Sequence, residues 1–238
     1  MAMKESSEEV RAGRGQDIQK QFWSGQLGLT LVTVSLVVFI FVIVPMHRAG
    51  LPARLVFDLV IVTLMIWGVL DVGEGKVTKG IAVGVVLATV VVLWGSIRFP
   101  SARLEKLACV MLVAVTMIYV WVVLGVVFRR GTVTWGRVQG GVAAYLLMGM
   151  AWAPAYELVE LWRPGSFHFT SAPADIYELF GKLLYFSFTT LTTVGFGDVT
   201  PIDPFARSLA IGEAVMGQLF PAILIGTLVG MALQRERG

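Results

Sequence analysis

Long segments without charge constrain this chain more than any other feature of its sequence. From Gln21 to Met46 it holds no Lys, Arg, Asp or Glu. A bilayer core of about 30 Å needs about 20 apolar residues per helix, so this segment is long enough to span a membrane. It is too long for the apolar core of a signal peptide, and no small-residue cleavage site follows it. We interpret it as a helix of a mature membrane protein.

The composition agrees with this interpretation. Hydrophobic residues make up 56% of the 238 residues and charged residues only 15%, whereas about a quarter of a typical soluble domain is charged. Further apolar segments, separated by short polar breaks, predict an all-α integral membrane fold with six spans. These lie at about 21–46, 54–72, 80–97, 107–128, 137–160 and 206–233.

The break between the fifth and sixth spans differs from the others, because it runs from Leu161 to about Phe205. Asp175 and Glu178 have the spacing of a capping box, and residues 176–190 suit a helix. At 1.5 Å per residue this helix is too short to cross the bilayer. We therefore expect a re-entrant helix, after which the chain returns as non-helical backbone. Such backbone is tolerated at that depth only where protein buries it or where it lines water.

The returning backbone is predicted to present a row of oxygen atoms. It has the sequence Thr193-Val194-Gly195-Phe196-Gly197-Asp198. Its two glycines can take positive φ at low cost. If left-handed and right-handed backbone conformations alternated along this segment, the successive carbonyl oxygens of residues 193–196 would turn toward one axis. The Thr193 hydroxyl would add one more oxygen.

The run from Thr190 to Asp198 resembles the selectivity filter of potassium channels, where carbonyl rings from four loops replace the hydration shell of the ion. The specific resemblance covers about residues 140–234 and is to prokaryotic-type, six-transmembrane, single-pore channels. Phe196 departs from the usual Tyr, at a position whose side chain points away from the ion. The resemblance implies a homotetrameric pore, with K⁺ in the filter and no other cofactor. It assigns ion binding to Thr193, Val194, Gly195, Phe196 and Gly197.

The same resemblance gives roles to residues around the filter. Thr192 and Asp198 are expected to support it. In similar channels an aromatic residue on the pore helix binds the filter carboxylate, which predicts a Tyr185–Asp198 pair. Glu213 either forms hydrogen bonds behind the pore helix, and so tunes the filter, or lies in a polar pocket, because its unpaired burial would be costly.

Two residues of the last span are candidates for a gating hinge. Gly217 lies where similar channels often have a flexible glycine, although it could equally serve packing alone. Pro221 follows one turn later and favours a kink. Gly226 and Gly230 have the spacing that lets helices approach closely.

Three segments are predicted: a cytoplasmic lead-in at 1–22, a four-helix transmembrane domain at 23–130, and the pore domain at 131–238. The four-helix domain resembles a voltage sensor in helix count only. Its fourth span, 107–128, has no Lys or Arg. Each charge crossing the field would contribute about 2.3 kcal/mol per 100 mV, so steep voltage gating is not expected. The chain after Leu233 is short and polar, and we expect no ligand-binding domain there.

The sequence thus predicts a passive, potassium-selective channel in the cell (plasma or inner) membrane. Both termini are expected in the cytoplasm, with only a slight excess of Lys and Arg on that side. No catalytic or phosphate-binding pattern predicts an enzyme, and none predicts a nucleic-acid partner. Membrane lipid and K⁺ are the expected partners, and a separate regulatory protein is left open. The alternatives are a non-selective monovalent cation channel and a non-conducting sensor or accessory protein.

Overall fold

The computed structural model describes residues 30, 33–43, 76–99, 101–128 and 134–236. Within them the chain is mostly helical. A short apolar helix, Thr33–Val42, ends in a π-helical turn at Phe39–Ile43. The α-helices that follow are α1 (Lys76–Arg98), α2 (Ala102–Val127), α3 (Trp135–Trp162), α4 (Ile176–Leu191) and α5 (Pro204–Glu236). Two short strands, β1 (Phe167–Phe169) and β2 (Val199–Pro201), flank α4 and the segment after it.

Three of the described helices are long and apolar enough to cross a membrane. They match the fourth, fifth and sixth predicted spans, and lie at Ala102–Gly125, Trp135–Trp162 and Pro204–Leu233. The first and third predicted spans correspond to shorter apolar helices, Thr33–Val42 and Val83–Ser96. The second, 54–72, lies outside the described residues, so the total of six spans stays a prediction.

The helix predicted at residues 176–190 is confirmed as α4, which ends one residue later than expected. The predicted N-cap is confirmed, because the Asp175 carboxylate accepts the Glu178 N–H at 2.8 Å and so satisfies a backbone donor that the helix start leaves free. The reciprocal bond of a capping box is shifted by one residue, since the Glu178 carboxylate accepts the N–H of Ala174 at 2.8 Å. A local sequence signal therefore fixes where the re-entrant helix begins.

The all-α expectation needs one correction, because β1 and β2 form a small antiparallel sheet in which Phe167 pairs with Pro201. The chain leaves α3 through Gly165, whose φ of +85° suits a residue without Cβ. The Thr170 N–H and hydroxyl then donate to the Asp198 carbonyl at 2.9 and 3.0 Å. The sheet thus joins the chain before α4 to the chain that returns after it, and three-residue strands leave no periodic pattern in the sequence.

The core of the described chain lies around α3. Within its most apolar stretch 72% of the residues are buried, against only 6% in α5. Small residues of α3, such as Ala143 and Ala144, let α2 and α4 approach it closely. The apolar surface of α5 has almost no cover within one chain. Such a surface needs lipid or further protein around it.

Candidate functional site

The site begins where α4 ends and the chain reverses without forming another helix. The Thr193 N–H donates to the Thr190 carbonyl at 2.9 Å. The next two amides, of Val194 and Gly195, both donate to the Thr189 carbonyl, at 2.8 and 3.1 Å. The amide donors of this segment therefore point back at the helix end. This satisfies them locally and holds the backbone in place.

The backbone between residues 193 and 197 alternates between residues with positive φ and residues without it. Thr193, Gly195 and Gly197 have φ values of +59°, +55° and +83°, whereas Val194 and Phe196 between them do not have positive φ. The prediction of positive φ at both glycines is confirmed. Positive φ at Thr193 was not predicted, because a β-branched residue is a true outlier there. Such strain costs about 1–3 kcal/mol and persists only where the surrounding structure enforces it.

The carbonyl oxygens of residues 193–197 are free to bind something else. Among the described residues, none donates a hydrogen bond to any of them. These residues are also exposed in the single chain, with Phe196 at 71%. Among the same described residues, no group of His, Cys, Asp or Glu side chains could hold a metal ion. The ligands that this segment can offer are therefore neutral backbone oxygens, which suit a hard cation.

Tyr185 supports this row from behind. Its ring stacks on that of Phe196, with centroids 6.2 Å apart and planes within 10°. Its hydroxyl interacts with the Asp198 carboxylate, which also accepts the Val199 N–H at 3.1 Å. The aromatic side chain of Phe196 thus packs against α4, and the structure brings the predicted Tyr185–Asp198 pair together. Thr192 caps α4, with its N–H and hydroxyl both donating to the Phe188 carbonyl.

Glu213 of α5 is fully buried, and its carboxyl group contacts side chains of both α3 and α4. Its carboxyl group contacts the Ser187 hydroxyl at 2.5 Å and accepts a hydrogen bond from the Tyr156 hydroxyl. The Ser187 oxygen also lies 2.6 Å from the Gly149 carbonyl. A single hydroxyl proton shared between two acceptors makes two weaker bonds. We infer that Glu213 is protonated and donates to Ser187, which then donates to Gly149, because each short contact then has a proton of its own.

Gly217 lies against the end of α4. A Cβ atom there would come 2.7 Å from the Leu191 carbonyl carbon and 3.0 Å from its Cα, and would overlap its oxygen. Only glycine allows so close an approach of two backbones. The described helix runs without interruption past Gly217 and Pro221. Packing therefore accounts for Gly217, while a hinge at these residues stays a prediction. A Cβ at Gly226 or Gly230 would meet nothing within 4 Å in this chain.

Comparison with known proteins now adds to this geometry. Residues 158–234 match the family model described as "Ion channel". These residues form an ion channel domain. The match includes α4, the alternating segment and nearly all of α5, whereas Gly149 and Tyr156 of α3 lie just before it.

Three relatives align with parts of the chain. Protein LctB of Bacillus caldotenax is 38% identical over 85 residues, which cover 34% of this chain and 61% of that protein. Two pore potassium channel c of Oryza sativa subsp. japonica is 33% identical over 93 residues, or 39% of this chain and 18% of that protein. Protein LctB of Geobacillus stearothermophilus is 39% identical over 56 residues, or 24% and 41%. The chain thus spans less than two thirds of each relative, and no solved structure matches it.

Several residues around the site were not predicted from the sequence. Ser187 and Tyr156 complete the Glu213 network, and Gln218 donates through Nε2 to the Thr193 hydroxyl oxygen at 2.9 Å. Gln218 had one available signal, since it is an amide side chain within an apolar span. Ser187 lies similarly between two phenylalanines. A polar residue at such a position needs a partner, but the sequence does not say which.

Proposed function

We propose that this chain forms a potassium-selective channel that conducts K⁺ passively through a filter made of residues 193–197. The observation that carries the proposal is that the carbonyl oxygens of residues 193–197 accept no hydrogen bond from the described residues, on backbone where positive φ recurs at every second residue. Carbonyl oxygens presented in rings can replace the hydration shell of K⁺. The name of one relative, Two pore potassium channel c, supports the choice of ion.

A homotetramer follows from this proposal, because one chain supplies one loop and a ring of carbonyls needs several. Two features support it. The filter segment is exposed in the single chain, and α5 is almost uncovered there. The carboxyl end of α4 leads directly into the filter, so four such helix ends would place partial negative charge near the axis. That charge favours a cation.

The rest of the proposal concerns the whole protein. The channel domain and its apolar helices place the chain in a membrane. We propose the cell membrane, with both termini in the cytoplasm, residues 1–22 as a lead-in, 23–130 as a four-helix domain and 131–238 as the pore domain. An ion channel family favours a transport protein over an enzyme. Gating would come from the filter, the last helix, lipid, the first four helices or a separate partner.

A flux assay tests conduction directly. Purified protein is reconstituted into liposomes loaded with K⁺, and K⁺ efflux is measured with a protonophore and a pH-sensitive dye. Wild-type protein should release K⁺. The Gly195→Ala variant should not, because alanine is strained at a φ of +55°. Gly212→Ala is the matched control, since its Cβ would meet no atom of the described part of this chain within 4 Å, and it should conduct. Absence of efflux from wild-type liposomes would favour a non-conducting sensor, and equal efflux from Gly195→Ala would exclude this filter as the path.

A further inference from the structure

Gln218 makes a contact with the filter that the proposed conduction path does not by itself require. Its Nε2 donates to the Thr193 hydroxyl oxygen at 2.9 Å, and so connects α5 with the first residue of the filter segment. The two residues lie 25 positions apart in the chain. The Thr193 hydroxyl is also the side-chain oxygen that the sequence predicts as an ion ligand. The contact therefore joins α5 to an atom that is expected to bind the ion.

The position of Gln218 is set by its neighbour in the sequence. Gly217 brings the α5 backbone against the Leu191 backbone, at a distance that a Cβ atom would not allow. Leu191 is the last residue of α4, two positions before Thr193. The side chain that follows Gly217 is thereby held within reach of the first filter residue. A less close approach of the two helices would leave the amide too far from the hydroxyl for a hydrogen bond.

The bond has two physical effects on Thr193. A hydroxyl oxygen has one proton and two lone pairs, so the amide occupies one lone pair and leaves one for a cation. The bond also selects one orientation of the hydroxyl. Hydrogen bonds at the end of α4 hold the Thr193 backbone at a φ of +59°, and Gln218 holds its side chain. The strained residue is therefore fixed at both backbone and side chain.

We propose that Gln218 is a positioning residue that orients the Thr193 hydroxyl and thereby sets K⁺ affinity at the innermost site of the filter. The innermost site is the one next to the end of α4, facing the side of the membrane where α5 ends. Without the amide donor, the hydroxyl would rotate among several orientations and bind the ion less tightly. The inference rests on the proposed channel function. It goes beyond that function because Gln218 contributes no carbonyl oxygen to the filter.

The test is the K⁺ dependence of single-channel current in planar bilayers, measured separately for K⁺ entering from each side. Gln218→Met removes the N–H donor while keeping a side chain of similar length. We expect the half-saturating K⁺ concentration to rise about 2- to 10-fold, the range that one neutral hydrogen bond supplies. The rise should occur for K⁺ entering from the α5-terminal side and should be much smaller from the other side. Thr227→Val is the matched control and should change neither value, because among the described residues the Thr227 hydroxyl bonds the Ile223 carbonyl of its own helix.

A double-mutant cycle separates positioning from a general structural role. In a Thr193→Val background there is no hydroxyl to orient, so adding Gln218→Met should have no further effect. In a Thr193→Ser background the hydroxyl remains, and the effect of Gln218→Met should persist. Equal effects in the valine and wild-type backgrounds would overturn the proposal. So would an unchanged half-saturating concentration, or a change that is equal from both sides.

Failure of this inference is distinguishable from failure of the proposed function. If wild-type protein gives no K⁺ current, the channel proposal itself fails. If wild-type protein conducts and Gln218→Met behaves as wild type, only the role of Gln218 is refuted. Gln218→Leu serves as a second variant without a donor. If both variants abolish current while Thr193→Ser conducts, then Gln218 is required for assembly of the pore, and the affinity proposal is overturned.

Discussion

Replacing Gly217 by alanine should damage the fold and the pore together. The added Cβ would lie 2.7 Å from the Leu191 carbonyl carbon, 3.0 Å from its Cα, and closer still to its oxygen. Carbon atoms in contact normally lie about 3.5–4.0 Å apart, so one of the two backbones must move by roughly 1 Å. Neither partner is the flexible end of a side chain. The Leu191 carbonyl also accepts the Tyr145 hydroxyl at 3.3 Å, and the movement would disturb that bond.

The expected magnitude follows from two opposing terms. Overpacking a tight contact typically costs about 1–3 kcal/mol and occasionally more, and a backbone clash belongs at the upper end of that range. Alanine in place of glycine within a helix returns about 1 kcal/mol. We therefore expect Gly217→Ala to lower the free energy of unfolding by about 2 kcal/mol or more. Because Leu191 lies next to the filter segment, K⁺ efflux should fall as well.

The assay is thermal unfolding in detergent, followed by circular dichroism, combined with the liposome flux measurement. Gly212→Ala is the control on the same helix, since its Cβ would meet no atom of the described part of this chain within 4 Å. It should unfold at the wild-type temperature or slightly above. If Gly217→Ala is as stable as Gly212→Ala and conducts normally, then the predicted clash with Leu191 does not occur. A variant that is fully stable but opens differently would instead support a flexible hinge at Gly217.

Three further predictions concern groups around the site. Glu213→Gln should keep the wild-type unfolding temperature, because an amide reproduces the donor and the acceptor of a protonated carboxyl group. Glu213→Leu should lower the free energy of unfolding by about 2–4 kcal/mol. Equal losses in the two variants would refute protonation of Glu213. Burial alone would raise the pKa of Asp203, but hydrogen bonds from Arg163 and from two backbone amides outweigh it and lower that pKa. The ionised Asp203 should therefore stabilise the fold fully above the ordinary aspartate pKa, and this contribution should be lost as the pH falls through the lowered pKa. The free energy of unfolding of Asp203→Asn should then depend less on pH in the acid range. An acid profile equal to that of the wild type would contradict this. Asp175→Ala should destabilise the start of α4 by about 1 kcal/mol, measured by denaturant unfolding, and no change would mean that Glu178 suffices.

Local signals in the sequence predicted local structure well. The N-cap bond between Asp175 and Glu178 depends on residues three apart, and the helix it begins was predicted within one residue. Positive φ at Gly195 and Gly197 follows from the absence of a Cβ atom at alternate positions. The three helices that are long enough to cross a membrane were predicted from their apolar composition, because a bilayer sets a minimum length for every helix that crosses it.

Features that depend on distant residues were missed. The intrinsic preference of Thr193 is against positive φ, and hydrogen bonds from the end of α4 override it. The contact of Gln218 with Thr193 exists only because Gly217 brings two helices together. The proton inferred on Glu213 depends on a serine of α4 and a carbonyl of α3 that no sequence spacing relates. Such contacts are set by tertiary packing.

The reversal potential of the purified protein in a planar bilayer measures whether the pore prefers K⁺ to Na⁺. K⁺ is placed on one side and Na⁺ on the other, at equal concentration. The carbonyl row predicts a current that reverses far from zero, in the direction that K⁺ permeation alone would give. A current that reverses near zero would contradict potassium selectivity and would establish a non-selective monovalent cation channel.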